Sequence, residues 1–263
     1  MKENQRNSPF RKFLGPLLTN VARELDKIGV KANQVTAAGT YLTTLGSFLK
    51  MSEKNFGTDL SYPCLGLFVL ALACDGLDGS LARLSGTAGE EGAKYDLIND
   101  RVQELLLNTA RIANASQRMD AFGVLTAILA GLTNPLPSYI RAMVEEKGDV
   151  VAETGKNPLS FLGTRGPRTG LAISATCFPE VGGTPFQPIA DLLITFGNIS
   201  STAERLGDLL KSGESGESGD EELRQLGRAK KEVLEKFIIF NTFAVLTLGV
   251  VGILSILERH KIL

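Results

Sequence analysis

An all-α, polytopic transmembrane helical bundle is the fold class this 263-residue chain predicts. Three observations carry that prediction. Residues 237–257, FIIFNTFAVLTLGVVGILSIL, run 21 positions without a charge, enough to cross about 30 Å of hydrocarbon as a helix. Weaker apolar stretches precede it near 34–51, 62–83, 94–115, 119–143, 159–178 and 187–209. The basic residues segregate between them, with seven Lys/Arg in 1–33 and six in 211–236, against one in 52–61 and none in 179–186. With alternating spans this is the positive-inside pattern, and it puts the N-terminus in the cytoplasm.

The elements follow in chain order. Residues 1–33 read as a cytoplasmic N-terminus. Within them, FRKFLGPLLTNVARELDKI (10–28) sets apolar residues at helical spacing opposite basic ones. That is the pattern of an amphipathic helix lying on the cytoplasmic membrane face; an ordinary surface helix shares it. Residues 34–210 read as a six-span membrane core. Residues 211–236 read as a flexible acidic linker, SGESGESGDEE (212–222), followed by a basic segment. Residues 237–263 read as one additional C-terminal transmembrane helix. No internal repeat is visible.

Composition narrows the chemistry. A net charge of −1 argues against nucleic acid as a partner. Cys64, Cys74 and Cys177 sit in apolar settings and read as small buried hydrophobes, not a disulfide framework or zinc cluster. The single histidine, His260, lies near the C-terminus, so general base work falls to carboxylates or lysine. No cleavable signal pattern opens the chain. Charges nonetheless interrupt the apolar stretches, at Asp75, Asp78, Asp96, Asp100, Glu104, Arg111, Arg165, Arg168, Asp191 and Glu204. At membrane depth such charges are costly and mark polar cavities. A soluble bundle of amphipathic helices has a similar composition.

The informative stretch is Asp75-Gly-Leu-Asp78-Gly79-Ser-Leu-Ala82-Arg83, then eight residues, then Gly92-Ala-Lys-Tyr-Asp96-Leu-Ile-Asn-Asp100. Asp75 and Asp78 are three apart and share a helix face; Asp96 and Asp100, four apart, do the same on a second helix. The linking SGTAGEEG reads as a tight loop. Two neighbouring helices can thus aim four carboxylates at one point, and the small Gly79, Ala82 and Gly92 permit close approach of helix or ligand. Four like charges need neutralising cations. All-oxygen ligands suit two Mg²⁺ ions, or Mn²⁺. Such a pair clamps a phosphoryl centre. Taken singly, Asp-x-x-Asp is usually a solvated helix face and Asp-Gly a turn. The eight fixed positions together arise by chance on the order of 10⁻⁹ times per start site.

At these residues the chain resembles the CDP-alcohol phosphatidyltransferase family, whose signature runs Asp-x2-Asp-Gly-x2-Ala-Arg-x8-Gly-x3-Asp-x3-Asp. Asp75, Asp78, Gly79, Ala82, Arg83, Gly92, Asp96 and Asp100 match every fixed position. The likeness extends, more weakly, over about residues 8–210 and implies six spans with a cytoplasm-facing site in the cell membrane. It implies that Asp75, Asp78, Asp96 and Asp100 hold two metal ions and that Asp100 also takes the acceptor's proton. It assigns Asp75, Gly79, Ala82 and Arg83 to the CDP moiety of a CDP-linked lipid, with CMP as leaving group. Asn33 and Thr36 match part of the family's Pro-Asn-x-x-Thr and join that set. Homodimers are common among relatives.

For the acceptor, Asp100-Arg101 and Ser138-Tyr139-Ile-Arg141 are similar to the phosphatidylinositol-phosphate synthase branch, although Met143 stands where that branch has Arg. The resemblance makes inositol phosphate the expected acceptor. Arg165 and Arg168 follow at the cytoplasmic end of the next expected span, and with Arg141 they are the candidate ligands of its phosphate, since guanidinium forks match phosphate oxygens. Arg141 reads equally as a cytoplasmic anchor. Glycerol phosphate, serine or another polyol are alternative acceptors. A cation channel or transporter is the alternative of another class, lacking any need for Arg83 and the fixed glycines.

Overall fold

The computed structural model describes residues 9–146 and 157–214. In order these form α1 (Pro9–Lys27), α2 (Ala32–Phe56), α3 (Ser61–Leu84), α4 (Glu90–Gln117), α5 (Ala121–Thr133), α6 (Leu136–Glu146), α7 (Pro158–Leu162), α8 (Arg165–Cys177) and α9 (Phe186–Glu214). The all-α expectation holds, with one small addition among the described residues. Glu180–Val181 (β1) and Thr184–Pro185 (β2) pair antiparallel in the α8–α9 connection. Gly182 and Gly183 turn the chain between them at φ 59° and 79°, a conformation that favours glycine at both positions. The linker beyond 214, the expected span 237–257 and His260 lie outside the described residues.

Two stretches are long and apolar enough to cross a membrane among the described residues. They are Ser61–Leu84, with mean hydropathy 1.6, and Ala121–Arg141, with 1.2. Their large apolar side chains are not all turned inward: Val69, Leu70, Leu72, Ile128 and Leu132 are exposed, as suits a surface facing lipid rather than water. Helices α2, α4 and α9, of 25, 28 and 29 residues, have the length to span but carry polar faces.

Two expected spans are interrupted. The stretch 119–143 divides between α5 and α6 near Asn134, because Pro135 and Pro137 lack the N–H that a continuing helix requires. The stretch 159–178 divides into α7 and α8, with Thr164 in extended backbone at φ −73°, ψ 153°. Asn157 starts α7 by accepting the Ser160 N–H, and Pro158 supplies the fixed first-turn φ.

The chain forms two compact units, Met1–Ala110 and Arg111–Leu263. In the first, α2 and α3 make a close hairpin. A Cβ added at Gly46 would lie 2.8 Å from the Phe68 ring, and one at Gly39 3.1 Å from Cys74 Cβ. Helix α1 docks on α3: Ala22 and Leu25 pack with Val35, Leu77 and Leu81, and a Cβ at Gly76 would lie 2.9 Å from Leu18 Cδ1.

A buried cation closes the far end of the hairpin. Lys50 Nζ lies 2.7 Å from Glu53 Oε2 and donates to Ser61 Oγ at 2.8 Å. Glu53 Oε1 accepts the Leu60 N–H. Side-chain and backbone hydrogen bonds from Ser61 hold the Asp59 carboxyl below its ordinary range. Lys50→Met keeps the aliphatic stem but leaves Glu53 without its cation, and is expected to destabilise the protein by about 1–3 kcal/mol. A thermal-unfolding midpoint equal to that of the parent would contradict this.

In the second unit, Arg111 and Asp191 are fully buried and meet at 2.8 Å. Gln187 Nε2 donates to the Arg111 carbonyl, and Arg118 donates to Gln187 Oε1. Two charges that read from sequence as marks of a polar cavity thus neutralise one another across α4 and α9.

Candidate active site

The site is built where α3 and α4 present their acids. Asp75 and Asp78 are one turn apart on α3, and Asp96 lies in the second turn of α4. One carboxylate oxygen from each lies within 4.8 Å of the others. Asp78 is buried, while Asp75 and Asp96 are half-buried, so the cluster is reachable from one side. Two donors fix the Asp78 carboxylate: Thr36 Oγ1 donates to Oδ2 at 2.6 Å and the Gly79 N–H to Oδ1 at 2.5 Å. Asp100, buried one turn further along α4, is not among the three mutually close acids.

The donor set tests the expected cofactor. Three carboxylates converging in a partly desolvated site repel one another, and all their ligand atoms are oxygens. Such a set suits a hard divalent cation of the Mg²⁺ or Mn²⁺ kind better than zinc, which favours nitrogen and sulfur ligands.

The other expected residues are placed as follows. Arg83 is exposed in the last turn of α3; its guanidinium lies over Gly79, with Nη1 3.5 Å from where a Cβ would sit, and Nη2 donates to Ser80 Oγ. Ala82 is half-buried. A Cβ added at Gly92 would meet no atom within 4 Å. Neither Gly79 nor Gly92 is required by the chain's own packing: the Arg83 guanidinium covers Gly79 at ordinary contact distance, and open space lies beside Gly92. Asn33 is exposed, one turn before Thr36 on α2. In the second unit, Arg141 and Arg165 are exposed. Arg168 is buried, and its Nη1 donates to the Asn134 carbonyl and to Asn198 Oδ1, both at 3.2 Å. Asn198 in turn donates to Thr133 Oγ1 and Asn134 Oδ1.

Three polar residues beside the acids belong to no motif in the sequence: Thr40, Asn99 and Gln103. Thr40 Oγ1 donates to Asn99 Oδ1 at 2.9 Å, and Gln103 Nε2 donates to Thr40 Oγ1 at 3.3 Å. Their signal was available as polar residues at helical spacing in otherwise apolar stretches.

An acidic centre between two long helices, with open space beside Gly92, suits a helical protein to phosphoryl chemistry. Comparison with known proteins agrees. Residues 30–180 match the family model described as CDP-alcohol phosphatidyltransferase. Over 139 residues the chain is 35% identical to an uncharacterized protein of Aquifex aeolicus (strain VF5), spanning 53% of this chain and 68% of that one. Its fold is similar to that of Mycobacterium tuberculosis phosphatidylinositol phosphate synthase (PgsA1). With CDP-DAG bound, that structure aligns at TM-score 0.60 and 20% identity, covering 73% of this chain and 92% of the other. In complex with manganese and citrate, it aligns at 0.56 and 20%, covering 72% and 87%. The chain belongs to the CDP-alcohol phosphatidyltransferase family. It is therefore a transferase of phospholipid biosynthesis, from a membrane-embedded family, that moves a phosphatidyl-type group from a CDP-linked lipid. Enzymes of this family use divalent metals. The channel or transporter alternative gives way to this membership.

Proposed function

We propose that the chain transfers the phosphatidyl group of CDP-diacylglycerol, or an ether-lipid analogue, to inositol phosphate and releases CMP. The convergence of Asp75, Asp78 and Asp96 carries the reading. Two Mg²⁺ ions, or Mn²⁺, held by these residues and Asp100 would neutralise charge on the donor pyrophosphate. Thr36 and the Gly79 N–H hold the Asp78 carboxylate in place. Gly79, Ala82 and Arg83, with Asn33 and Thr36, receive the CDP moiety; Arg83 contributes a planar fork for phosphate oxygens. Asp100 accepts the proton of the acceptor hydroxyl. The acceptor oxygen bonds to the β-phosphorus, the bridging bond to the α-phosphate breaks, and CMP leaves with that electron pair.

Arg141, Arg165 and Arg168 take the acceptor's phosphate, which favours a phosphorylated polyol over serine. The likeness to the PgsA1 fold and the Asp100-Arg101 ending support the same acceptor. The cytoplasm-facing site, the six-span core with one further C-terminal span, the interfacial setting of α1 and a homodimer complete the reading. It is supported by the basic segments of 1–33 and 211–236.

The test is CMP release by the purified protein from CDP-diacylglycerol, with inositol phosphate, glycerol phosphate, serine and inositol compared. Release should need both a divalent cation and an acceptor, and inositol phosphate should be the fastest. Undiminished release in excess EDTA would overturn the reading, and a faster rate with glycerol phosphate would move the acceptor. Arg165→Ala should raise the KM for the phosphorylated acceptor by about 10- to 100-fold, the loss of one charge-assisted hydrogen bond. The KM for the CDP-lipid should stay near the parent value; equal effects on both would remove Arg165 from the acceptor site.

A further inference from the structure

We propose that Thr40, Asn99 and Gln103 form a latch that sets the rotation of the acidic helix α4 against α2 and so positions Asp96 and Asp100. The inference rests on the transferase reading above. On α4, Asp96, Asn99, Asp100 and Gln103 follow the i, i+3, i+4, i+7 spacing of a single stripe. On α2, Thr36, Thr40 and Thr43 follow the i, i+4, i+7 spacing of another. The two stripes are joined by hydrogen bonds. Thr40 Oγ1 donates to Asn99 Oδ1 at 2.9 Å, Gln103 Nε2 donates to Thr40 Oγ1 at 3.3 Å, and Thr43 Oγ1 donates to Gln103 Oε1 at 3.3 Å. Asn99 Nδ2 donates to the Tyr95 carbonyl at 2.9 Å, which fixes the amide so that its oxygen faces Thr40.

The physical consequence follows from helix geometry. Successive residues are about 100° apart around the axis. A slip of α4 by one residue would break all three cross-helix bonds and swing Asp96 away from Asp75 and Asp78. The first hydroxyl of the α2 stripe, Thr36, binds Asp78 directly. One face of α2 thus references both acidic helices: Thr36 touches α3, and Thr40 and Thr43 touch α4. In a weakly polar interior each such bond is modest. Three acting on one rigid helix select its angle without any of them reaching a substrate. These are positioning residues.

The test uses the full-length protein in detergent with Mn²⁺ alone, its free concentration read by electron paramagnetic resonance, alongside CMP release and thermal unfolding. Thr40→Val and Asn99→Leu each keep side-chain size and remove the cross-helix bond. Both should weaken Mn²⁺ binding about tenfold and lower kcat about tenfold, with the KM for CDP-lipid within about twofold and an unfolding midpoint lowered by no more than about 4 °C. Thr40→Ser, which retains the hydroxyl, should restore both. Gln103→Leu should give a similar loss if either other variant fails to accumulate. Thr44→Val makes the same chemical change on α2, where the hydroxyl bonds only within its own helix, and should leave binding and activity at parent values. A parent protein that binds Mn²⁺ while the latch variants bind it equally well would overturn the latch alone. Loss of binding that tracks a larger fall in the unfolding midpoint and is not restored by Thr40→Ser would do the same. A parent that binds no Mn²⁺ would take the transferase reading with it.

Discussion

Replacing Asp78 with asparagine will lower CMP release by on the order of 10³-fold while leaving the metal-free protein at least as stable as the parent. The two halves of this expectation have one cause. Asp78 is the most buried of three acids whose oxygens lie within 4.8 Å of one another. Two ionised carboxylates at that separation repel by about 3 kcal/mol at an effective dielectric of 20. Without a cation, converting Asp78 to a neutral amide relieves that repulsion. The amide oxygen can still accept from Thr36 or from the Gly79 N–H. With a cation and donor lipid present, the same change removes a charged ligand. Loss of about 4 kcal/mol of transition-state stabilisation corresponds to that thousandfold. Thermal unfolding with and without Mn²⁺ separates the effects. The parent should gain stability from the metal by mass action, and Asp78→Asn should gain little. A variant less stable without metal, yet equally stabilised by it, would mean that Asp78 is a packing residue.

Why these acids could be found in the sequence, and their supports could not, is a matter of range. Asp75 with Asp78, and Asp96 with Asp100, are paired by helical periodicity alone, and a short polar loop joins their helices. Every step in that inference spans fewer than about ten residues. The pairing of Arg111 with Asp191 spans eighty positions, and no local pattern announces it. From sequence the two looked like the walls of a cavity; in the fold each is the other's counter-ion. The glycines divide similarly. Gly79 and Gly92 are legible because they flank acids; the fold leaves open space at Gly92 and lays the Arg83 guanidinium over Gly79. Gly39, Gly46, Gly163 and Gly197 carry close helix contacts and sit in no local motif. The break within 159–178 is encoded by Gly163, which ends α7, ahead of Gly166-Pro167 in the first turn of α8. An apolar stretch of that length masks such local signals, since periodicity and length report apolar content and not continuity.

That break leads to the largest stability effect expected outside the acids. Gly163→Ala should shift the unfolding midpoint down by about 6–12 °C, the effect of roughly 3 kcal/mol in a chain of this size. A Cβ at Gly163 would lie 2.0 Å from the Gly197 carbonyl oxygen and 2.4 Å from its carbon. From the other side, a Cβ at Gly197 would lie 2.5 Å from the Gly163 nitrogen. Overpacking an ordinary core costs about 1–3 kcal/mol because side chains can turn aside. Here both surfaces are backbone, and only a movement of α7 away from α9 makes room. The movement would also reach the proposed acceptor residues. Asn198, next to Gly197, holds the Arg168 guanidinium, so Gly163→Ala should raise the acceptor KM in whatever protein remains folded. Gly170→Ala, in a helix position with nothing within 4 Å of the new methyl, is the matched control. It should be neutral or stabilising by about 0.5–1 kcal/mol, as expected for alanine over glycine inside a helix. Equal unfolding midpoints for the two variants would mean that α7 and α9 do not touch backbone to backbone.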